Sequence, residues 1–289
     1  MKKSNKKLNP AITKELKNKT ILVTGGAGSI GAHLTKRILD YPVKAVRVLD
    51  NDEHALFKVG KSIDDTRLRL LLGDILNQER IELAGLNVDI ILHVAAIKNI
   101  EITEYNPIET INTNVNGTVN MVKMAIKNSP KKFLNISTDK AVESTTLYGT
   151  TKNLSEKLIT WAGGLMIPTK FASTRFGNVI ETRGNVFEIW NEEKKNGKPL
   201  SITHPDMKRY FLKIDDAVEF CLECLIHVNN GEIFIPKMKS YSIKELANKV
   251  SKKHNIIGLR KGEKMVEVLM TKEEEHRAVE RKKMWIIKK

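Results

Sequence analysis

The chain has 289 residues, of which 41% are hydrophobic, 29% are charged and two are cysteine. A chain of this length forms one domain or two closely coupled domains with an ample apolar core. Its longest strongly apolar run is about eight residues, around Ile90–Ile97, well short of the ~20 residues that span a bilayer. We therefore expect a soluble, cytoplasmic protein with no membrane insertion.

The formal net charge is +15, and lysines are dense at residues 2–19 and 277–289. Nucleic-acid binding is not expected, because only 6% of the residues are aromatic and no basic groove with interleaved aromatic residues is evident. Attraction of anionic nucleotide substrates explains the charge equally well. The basic N-terminus has no apolar stretch behind it and is not a secretory signal.

Residues 1–18 form a basic, Lys/Asn-rich lead-in that we expect to be mobile. Strand-like and helix-like segments then alternate over residues 19–176, which predicts an α/β fold: a Rossmann-type, doubly wound parallel sheet that binds a dinucleotide. The predicted strands are Thr20–Val23, Val43–Leu49, Leu68–Leu72, Asp89–Val94, Lys132–Ser137 and Thr169–Phe176, with helices at Thr110–Lys127 and Tyr148–Trp161 among them.

The remaining residues, 177–289, are less regular and are predicted to form a smaller, mostly helical substrate-binding part. Within it, Glu232–Ile235 is a candidate strand that returns to the main sheet. Cys221 and Cys224 lie in an apolar stretch and have no second ligand pair at metal spacing. We interpret them as core thiols of a reducing compartment and expect no metal site.

The first predicted strand runs into the sequence Gly26-Ala27-Gly28-Ser29-Ile30-Gly31, which has the pattern G-x-G-x-x-G. Glycines in this pattern allow a sharp turn, close approach of the backbone to a pyrophosphate, and tight helix packing. The amides at the start of the following helix face the anion. The pattern alone is weak, but its position between a strand and a helix predicts a dinucleotide site.

Asp50 ends the second predicted strand, 19 residues after Gly31. A carboxylate at about this distance accepts hydrogen bonds from the adenosine ribose and repels a 2′-phosphate, which favours NAD over NADP. The alternative is that Asp50 only opens a polar loop. Asp74, after the third strand, either faces the adenine edge or caps a helix.

A reacting group is predicted where Ser137-Thr138-Asp139-Lys140 follows a strand, at the sheet edge where ligands bind. Tyr148 and Lys152 are four residues apart and share one helix face. A phenol with a pKa of about 10 needs help to act as a base. A neighbouring ammonium, a cationic nicotinamide ring and hydrogen bonds could lower that pKa. The alternative interpretation of the pair is a solvated helix face.

These motifs resemble the extended short-chain dehydrogenase/reductases, and within them the soluble UDP-N-acetylglucosamine 4,6-dehydratases of polysaccharide and flagellin-sugar synthesis. The resemblance covers roughly residues 19–280. Its most specific parts are the T-D-K motif (Thr138–Lys140), the G-E-K motif (Gly262–Lys264) and the eight-residue spacing from Lys140 to Tyr148. The other matching segments are Thr24–Gly31, Ala95–Lys98, Glu104–Pro107, Asn112–Thr118, Arg175–Val179, Arg183–Gly184, Met207–Phe211 and Gly231–Pro236.

The resemblance implies a tightly bound, regenerated NAD or NADP, a UDP-sugar substrate and a homo-oligomer, dimeric or larger. Tyr148, assisted by Lys152 and Thr138, would take the C4 hydroxyl proton during oxidation; Lys140 and Asp139 would act as base and acid at C5 and C6. The implied cofactor-binding residues are Thr24, Gly25, Gly26, Gly28, Ser29, Ile30, Gly31, Asp50, Asp74, Ala95, Ala96, Asn114, Tyr148 and Lys152. The implied substrate-binding residues are Lys98, Asn178, Arg183, Arg209, Arg260 and Glu263.

Arg183, Arg209 and Arg260 are candidates for the diphosphate because guanidinium groups bind phosphate in a bidentate manner. A surface salt bridge is the alternative for each, and a solvated side chain is the alternative for Lys98. Departures from the family pattern leave the exact sugar open: Asn99, residues 142–146, Glu181-Thr182 and Lys261.

Three functions remain open on the sequence: a 4,6-dehydratase acting on UDP-N-acetylglucosamine, a related 4-epimerase or ketoreductase, and a non-enzymatic dinucleotide-binding sensor. The first is favoured, because an elimination uses an acid and a base that the other two do not need. The sequence does not indicate whether C5 is inverted.

Overall fold

The computed structural model describes residues 8–289. The strands are β1 (Thr20–Thr24), β2 (Ala45–Asp50), β3 (Leu68–Leu72), β4 (Ile90–His93), β5 (Lys132–Thr138), β6 (Lys170–Phe176), β7 (Asn178–Ile180), β8 (Leu200–Ile202), β9 (Lys208–Lys213), β10 (Asn230–Pro236), β11 (Ser240–Ser242), β12 (His254–Ile256), β13 (Ala278–Glu280) and β14 (Met284–Ile287).

The α-helices are α1 (Pro10–Leu16), α2 (Ser29–Leu39), α3 (Glu53–Ser62), α4 (Gln78–Gly85), α5 (Ile100–Tyr105), α6 (Pro107–Ile111), α7 (Gly117–Asn128), α8 (Leu147–Gly163), α9 (Val186–Lys195), α10 (Ile214–His227), α11 (Ile243–Val250) and α12 (Lys272–Arg277). A π-helical turn, Asn112–Asn116, joins α6 to α7, and a 3₁₀ turn, Asp139–Ala141, follows β5. Within residues 8–289, no helix combines the length and apolar character needed to cross a membrane.

The main sheet has nine strands in the order β13-β14-β10-β6-β5-β4-β1-β2-β3. The seven strands from β10 to β3 are parallel, and the β14 and β13 strands are antiparallel additions at one edge. The segment β3-β2-β1-β4-β5-β6 has the strand order of a dinucleotide-binding fold. The predicted doubly wound parallel sheet is confirmed.

Two apolar layers cover the sheet. Strands such as β1 are buried on both faces, as expected for a parallel strand between helix layers. One layer packs α2 and α10 against the sheet, and the other packs α4, α7 and α8. Cys221 and Cys224 are both buried in α10. The parallel register places the carboxyl ends of β1, β4, β5 and β6 along one edge, where the functional residues collect.

The prediction that residues 1–18 are a mobile lead-in is wrong for residues 10–16, because these residues form α1. Asn9 caps this helix through its side chain, which accepts from the Ala11 amide at 3.0 Å, and Pro10 occupies the first turn. Ile12 and Leu16, four residues apart, are 2% and 0% exposed and anchor the helix in the core. Residues 1–7 lie outside the described residues.

The C-terminal part carries short strands as well as helices. β7, β9 and β11 form one small sheet, and β8 pairs with β12. Trp190, Leu200 and Ile202 belong to a separate apolar cluster that holds these elements together. A three-residue strand such as β8 is too short to show a periodicity in the sequence. The prediction of a mostly helical C-terminal part therefore did not include these short strands. The strand β10 pairs in parallel with β6 within the main sheet.

Candidate active site

A cleft of about 830 Å³ runs along the carboxyl edge of the sheet, between the sheet and the C-terminal part. Most of the residues predicted from the sequence line it: Gly25, Gly28, Ser29, Ile30, Asp50, Asp74, Ala95, Ala96, Lys98, Thr138, Lys140, Tyr148, Lys152, Asn178, Arg183, Arg209, Arg260 and Glu263. The other predicted residues lie next to the cleft without lining it in this structure: Thr24, Gly26, Gly31, Asn114 and Asp139.

The glycine-rich turn is built for close backbone approach. Gly25 has a φ of +61°, and a Cβ there would lie 2.6 Å from the Ala95 backbone. A Cβ on Gly31 would lie 2.6 Å from the Cα of Gly26, so α2 packs against the turn only with glycine at that position. Gly28 caps α2 without a side chain, which leaves the first-turn amides facing the cleft. These features fit a dinucleotide pyrophosphate.

Asp50 lines the cleft at the end of β2 and also braces the glycine-rich turn. Its Oδ2 accepts from the Ala27 amide at 2.9 Å, and its Oδ1 accepts from the Asp52 amide at 3.1 Å. Asp74 lies close by, since Asn51 donates to its Oδ2 at 3.1 Å. The helix-cap interpretation of Asp74 is wrong, because Asn77 caps α4. Both carboxylates therefore lie close together in the cleft, beside the glycine-rich turn.

A buried polar chain behind the cleft was not predicted from the sequence. The Nδ1 of His93 lies 2.7 Å from the Thr24 hydroxyl, and its Nε2 lies 3.2 Å from the Thr118 hydroxyl. Because the Thr118 hydroxyl donates to the Asn114 carbonyl at 2.7 Å, it accepts from Nε2, and Nδ1 accepts from Thr24. Burial lowers the pKa of His93 to about 3, with a smaller effect from the Lys152 cation, so the ring is neutral.

The π-helical turn positions Asn114, which joins two walls of the site. Its Oδ1 accepts from the Ile97 amide at 2.8 Å, and its Nδ2 donates to the Ile97 carbonyl at 2.9 Å. Nδ2 also lies 3.1 Å from the Thr151 hydroxyl on α8. Asn114 thus fixes the segment after β4 against the helix that carries Tyr148 and Lys152.

Tyr148 and Lys152 project into the cleft from the first two turns of α8. Burial raises the pKa of Tyr148, a hydrogen bond with Thr138 lowers it, and the Asp139 charge raises it further. Burial lowers the pKa of Lys152 to about 8, opposed by the charge of Glu156. The protein alone therefore does not lower the pKa of the phenol, contrary to expectation. The hydrogen bond with Thr138 lowers that pKa only in part.

Asp139 and Lys140 form an ion pair at the carboxyl end of β5. The Lys140 ammonium lies 3.1 Å from Oδ1 of Asp139, and the Thr138 hydroxyl donates to the same oxygen at 3.0 Å. Asp139 is 0% exposed, and its Oδ2 has no hydrogen-bond partner within the described residues. Lys140 lines the cleft. A carboxylate and an ammonium in contact therefore lie beside Tyr148, and their roles as acid and base stay a prediction.

The three arginines predicted to bind diphosphate have different surroundings. Arg209 is buried and donates to the carbonyls of Lys208, Lys264 and Met265, with Glu263 at 3.4 Å, so it orders the G-E-K loop. Arg260 is exposed and pairs with Glu101 at 3.0 Å. Arg183 is exposed in a loop over the cleft.

That loop is attached to both sides of the cleft. The Arg183 amide donates to the Ser29 hydroxyl at 3.0 Å, and Lys98 donates to the Arg183 carbonyl at 3.1 Å. Asn178 donates to the Tyr210 carbonyl at 3.2 Å and fixes the start of the same segment.

Apolar residues of the C-terminal part complete the cleft, and sequence reasoning missed them. Trp190, Phe211, Ile243 and Ile257 all line it. They come from four separate elements or loops, and no motif or spacing joins them. In the sequence they differ from other residues only in being apolar, and apolar residues of the core cannot be distinguished from them.

The fold and the cleft define a dinucleotide-binding protein of the extended short-chain dehydrogenase/reductase type. The sequence matches the family model for polysaccharide biosynthesis proteins over residues 21–289, and the chain belongs to this family. The inverting UDP-N-acetylglucosamine 4,6-dehydratase of Campylobacter jejuni is 37% identical over 89% of this chain and 79% of that protein. The X-ray structure of Pen from Bacillus thuringiensis superposes with a TM-score of 0.90, at 36% identity over 94% of this chain and 88% of that one.

Other relatives carry different names. An uncharacterised membrane protein of Methanocaldococcus jannaschii is 40% identical over 94% of this chain and 86% of its own length. A UDP-glucose 4-epimerase of Rickettsia rickettsii is 35% identical over 89% of this chain and 79% of its own length. The relatives thus include both dehydratase and epimerase names, and the residues of the cleft have to distinguish the two reactions.

Proposed function

We propose that this protein is a nucleotide-sugar 4,6-dehydratase that converts UDP-N-acetylglucosamine to a UDP-4-keto-6-deoxy-N-acetylhexosamine. The observation that carries the proposal is the contact between the buried Asp139 carboxylate and the Lys140 ammonium, at 3.1 Å, beside Tyr148. Oxidation at C4 followed by return of hydride to C4 needs only Tyr148 and Lys152. Loss of water also needs a base at C5 and an acid at C6.

The ion pair can supply both groups. One proton transfer across the 3.1 Å contact converts ammonium and carboxylate into a neutral amine and a carboxylic acid. The amine of Lys140 then removes the C5 proton, which the C4 ketone has made acidic. The acid of Asp139 protonates the C6 hydroxyl, which leaves as water. The glycine-rich turn would hold a dinucleotide, which would supply the hydride chemistry that links C4 to C6.

Tyr148 is the base for the C4 hydroxyl in this proposal. The Thr138 hydroxyl, which donates to Asp139, stabilises the phenolate once it turns to donate to Tyr148, and Lys152 lies one turn further along the same helix face. The pKa of Lys152 is about 8, so the side chain remains mainly an ammonium at neutral pH. Its positive charge then favours loss of the Tyr148 proton.

For the dinucleotide, we propose NAD in preference to NADP. Asp50 lies at the ribose end of the cleft, and the amides of Ala27 and Asp52 hold its carboxylate in place. A 2′-phosphate there would meet a fixed negative charge. The glycine-rich turn would hold the pyrophosphate, and Tyr148 and Lys152 the nicotinamide ribose.

For the substrate, we propose that Arg183 and Arg260 bind the uridine diphosphate. Both are exposed at the cleft, whereas the terminal nitrogens of Arg209 are already bound to the G-E-K loop. Arg209 then contributes charge and the position of Glu263. The apolar walls at Trp190 and Phe211 exclude water from the far end of the cleft.

A 4-epimerase or ketoreductase is the second candidate, because the Rickettsia relative bears an epimerase name. Incubating the purified protein with UDP-N-acetylglucosamine and measuring the product mass separates the two. We expect a product lighter by one water. An epimer has unchanged mass, and a non-enzymatic sensor gives no product, so either result would contradict the proposal.

A further inference from the structure

Arg175, which none of the proposed steps uses, is the centre of a buried cluster of charged side chains. It lies on β6 and is 1% exposed. Its Nε donates to Oε1 of Glu156 at 3.0 Å and its Nη2 donates to Oε2 at 2.6 Å. The two terminal nitrogens also donate to Glu274, both at 2.8 Å, and Nη1 donates to the Leu269 carbonyl at 2.9 Å. All five donor positions of the guanidinium group are used.

The cluster reaches the catalytic helix through Glu156. Glu156 is on α8, one helical turn after Lys152, so both side chains lie on the same face. The two residues are 2% and 3% exposed. Two hydrogen bonds from Arg175, which form one bidentate contact, fix the Glu156 carboxylate, which therefore presents a stationary negative charge to that face. With Lys152 protonated, two cations and two carboxylates balance within the cluster.

We propose that Glu156 is a positioning residue that keeps Lys152 in its ammonium form, and that Arg175 holds Glu156 in place. The inference rests on the proposed function in that it assumes Lys152 acts as a cation beside Tyr148. Burial pushes the pKa of Lys152 down to about 8, and the charge of Glu156 opposes this change. Without that carboxylate, the pKa of Lys152 would fall further, and a larger fraction of Lys152 would be neutral at the pH where Tyr148 has to lose its proton.

The other charges around Lys152 do not replace Glu156. His93 of β4 is neutral, and Tyr148 is the residue whose deprotonation Lys152 favours. The remaining carboxylates on elements packed against α8 are bound elsewhere or exposed: Asp139 binds Lys140 and Thr138, Glu101 of α5 pairs with Arg260, Glu104 of α5 accepts from the Leu147 amide, Glu232 of β10 accepts from the amides of Asn229 and Asn230, and Glu109 of α6 is exposed.

The test compares Glu156→Gln with Glu274→Gln, because each removes one of the two carboxylates bound to Arg175. Acetylation of lysines by acetic anhydride, followed from pH 6 to 10 by peptide mass spectrometry, reports the pKa of Lys152 in the full chain. We expect Glu156→Gln to lower that pKa by about one pH unit, as for loss of an opposite charge nearby. Glu274→Gln should leave it close to the unmodified value. The alkaline limb of turnover should move to lower pH in Glu156→Gln alone.

Equal shifts in the two variants, or no shift in Glu156→Gln, would overturn the inference, since a purely structural role affects both sides of Arg175 alike. If Glu156→Gln does not fold, Glu156→Asp provides the test instead. Its shorter side chain, still bound to Arg175, holds the carboxylate further from Lys152. A lowered pKa of Lys152 supports the inference, and an unchanged one refutes it. Acetylation needs no turnover, so failure of the proposed reaction is distinguishable from failure of this inference.

Discussion

Asp139→Asn should separate oxidation from elimination. The amide can still accept from Thr138 and Lys140 through its oxygen, but it cannot hand a proton to a leaving hydroxyl. Loss of a positioned acid typically costs ~10²–10⁴ in rate, or about 3–5 kcal/mol of transition-state stabilisation. The new NH₂ takes the place of Oδ2, which is buried and has no hydrogen-bond partner in the described part of the chain. One unpartnered polar group thus replaces another, so we expect this atom to change the free energy of unfolding little.

The assay mixes the dinucleotide-loaded variant with UDP-N-acetylglucosamine and follows absorbance of the reduced dinucleotide together with product mass. We expect reduced dinucleotide to accumulate while the dehydrated sugar forms at least ~10²-fold more slowly. Asp64→Asn, at an exposed loop position remote from the cleft, is the matched control and should behave as the unmodified protein. Dehydration at the normal rate in Asp139→Asn would remove Asp139 as the acid. Absence of any reduced dinucleotide despite sugar binding would place its role before C4 oxidation.

Three further predictions concern the base, the cofactor and stability. Tyr148→Phe should lower turnover by at least ~10² while the dissociation constant for the dinucleotide changes little; near-normal turnover would exclude Tyr148 as the base. Asp50→Ser should narrow the preference for NAD over NADP by at least about tenfold in titrations of the two dinucleotides, and tighter NADP binding by the unmodified protein would refute the assignment. His93 has its pKa lowered to about 3 in the folded state, so the unfolded chain binds the extra proton first as pH falls below about 6.5. As pH falls from 6.5 to 3, the free energy of unfolding should therefore decrease by up to about 1.4 kcal/mol per pH unit because of His93. The free energy of unfolding, measured with urea at a series of pH values, should depend less steeply on pH in His93→Asn than in the exposed-site control His227→Asn. Equal dependence on pH in the two variants would contradict the buried neutral ring.

Sequence reasoning reached the sheet and the local motifs because their signals are contiguous. The glycine pattern, Asp50 and the T-D-K strand end each occupy a few adjacent residues, and the parallel sheet brings strand ends to one edge. Tyr148 and Lys152 share a helix face at a fixed spacing. The prediction of a parallel dinucleotide-binding sheet needed no more than these.

Contacts between distant segments were out of reach. Arg175 meets Glu274 across 99 residues, and Arg183 meets Ser29 across 154. Neither pair has a periodicity or a motif, so only the folded chain reveals them. Short elements were not predicted for a different reason. The helix α1 and the strand β8 have too few residues for the spacing of their apolar residues to be distinguished from chance.

The most direct measurement uses UDP-N-acetylglucosamine that carries deuterium at C4. We predict a product lighter by one water with the deuterium at C6, because the hydride taken from C4 is returned within the same cleft. Mass spectrometry and nuclear magnetic resonance of the product give both answers in one reaction. A product of unchanged mass, or a dehydrated product that has lost its deuterium, would contradict the proposed 4,6-dehydration.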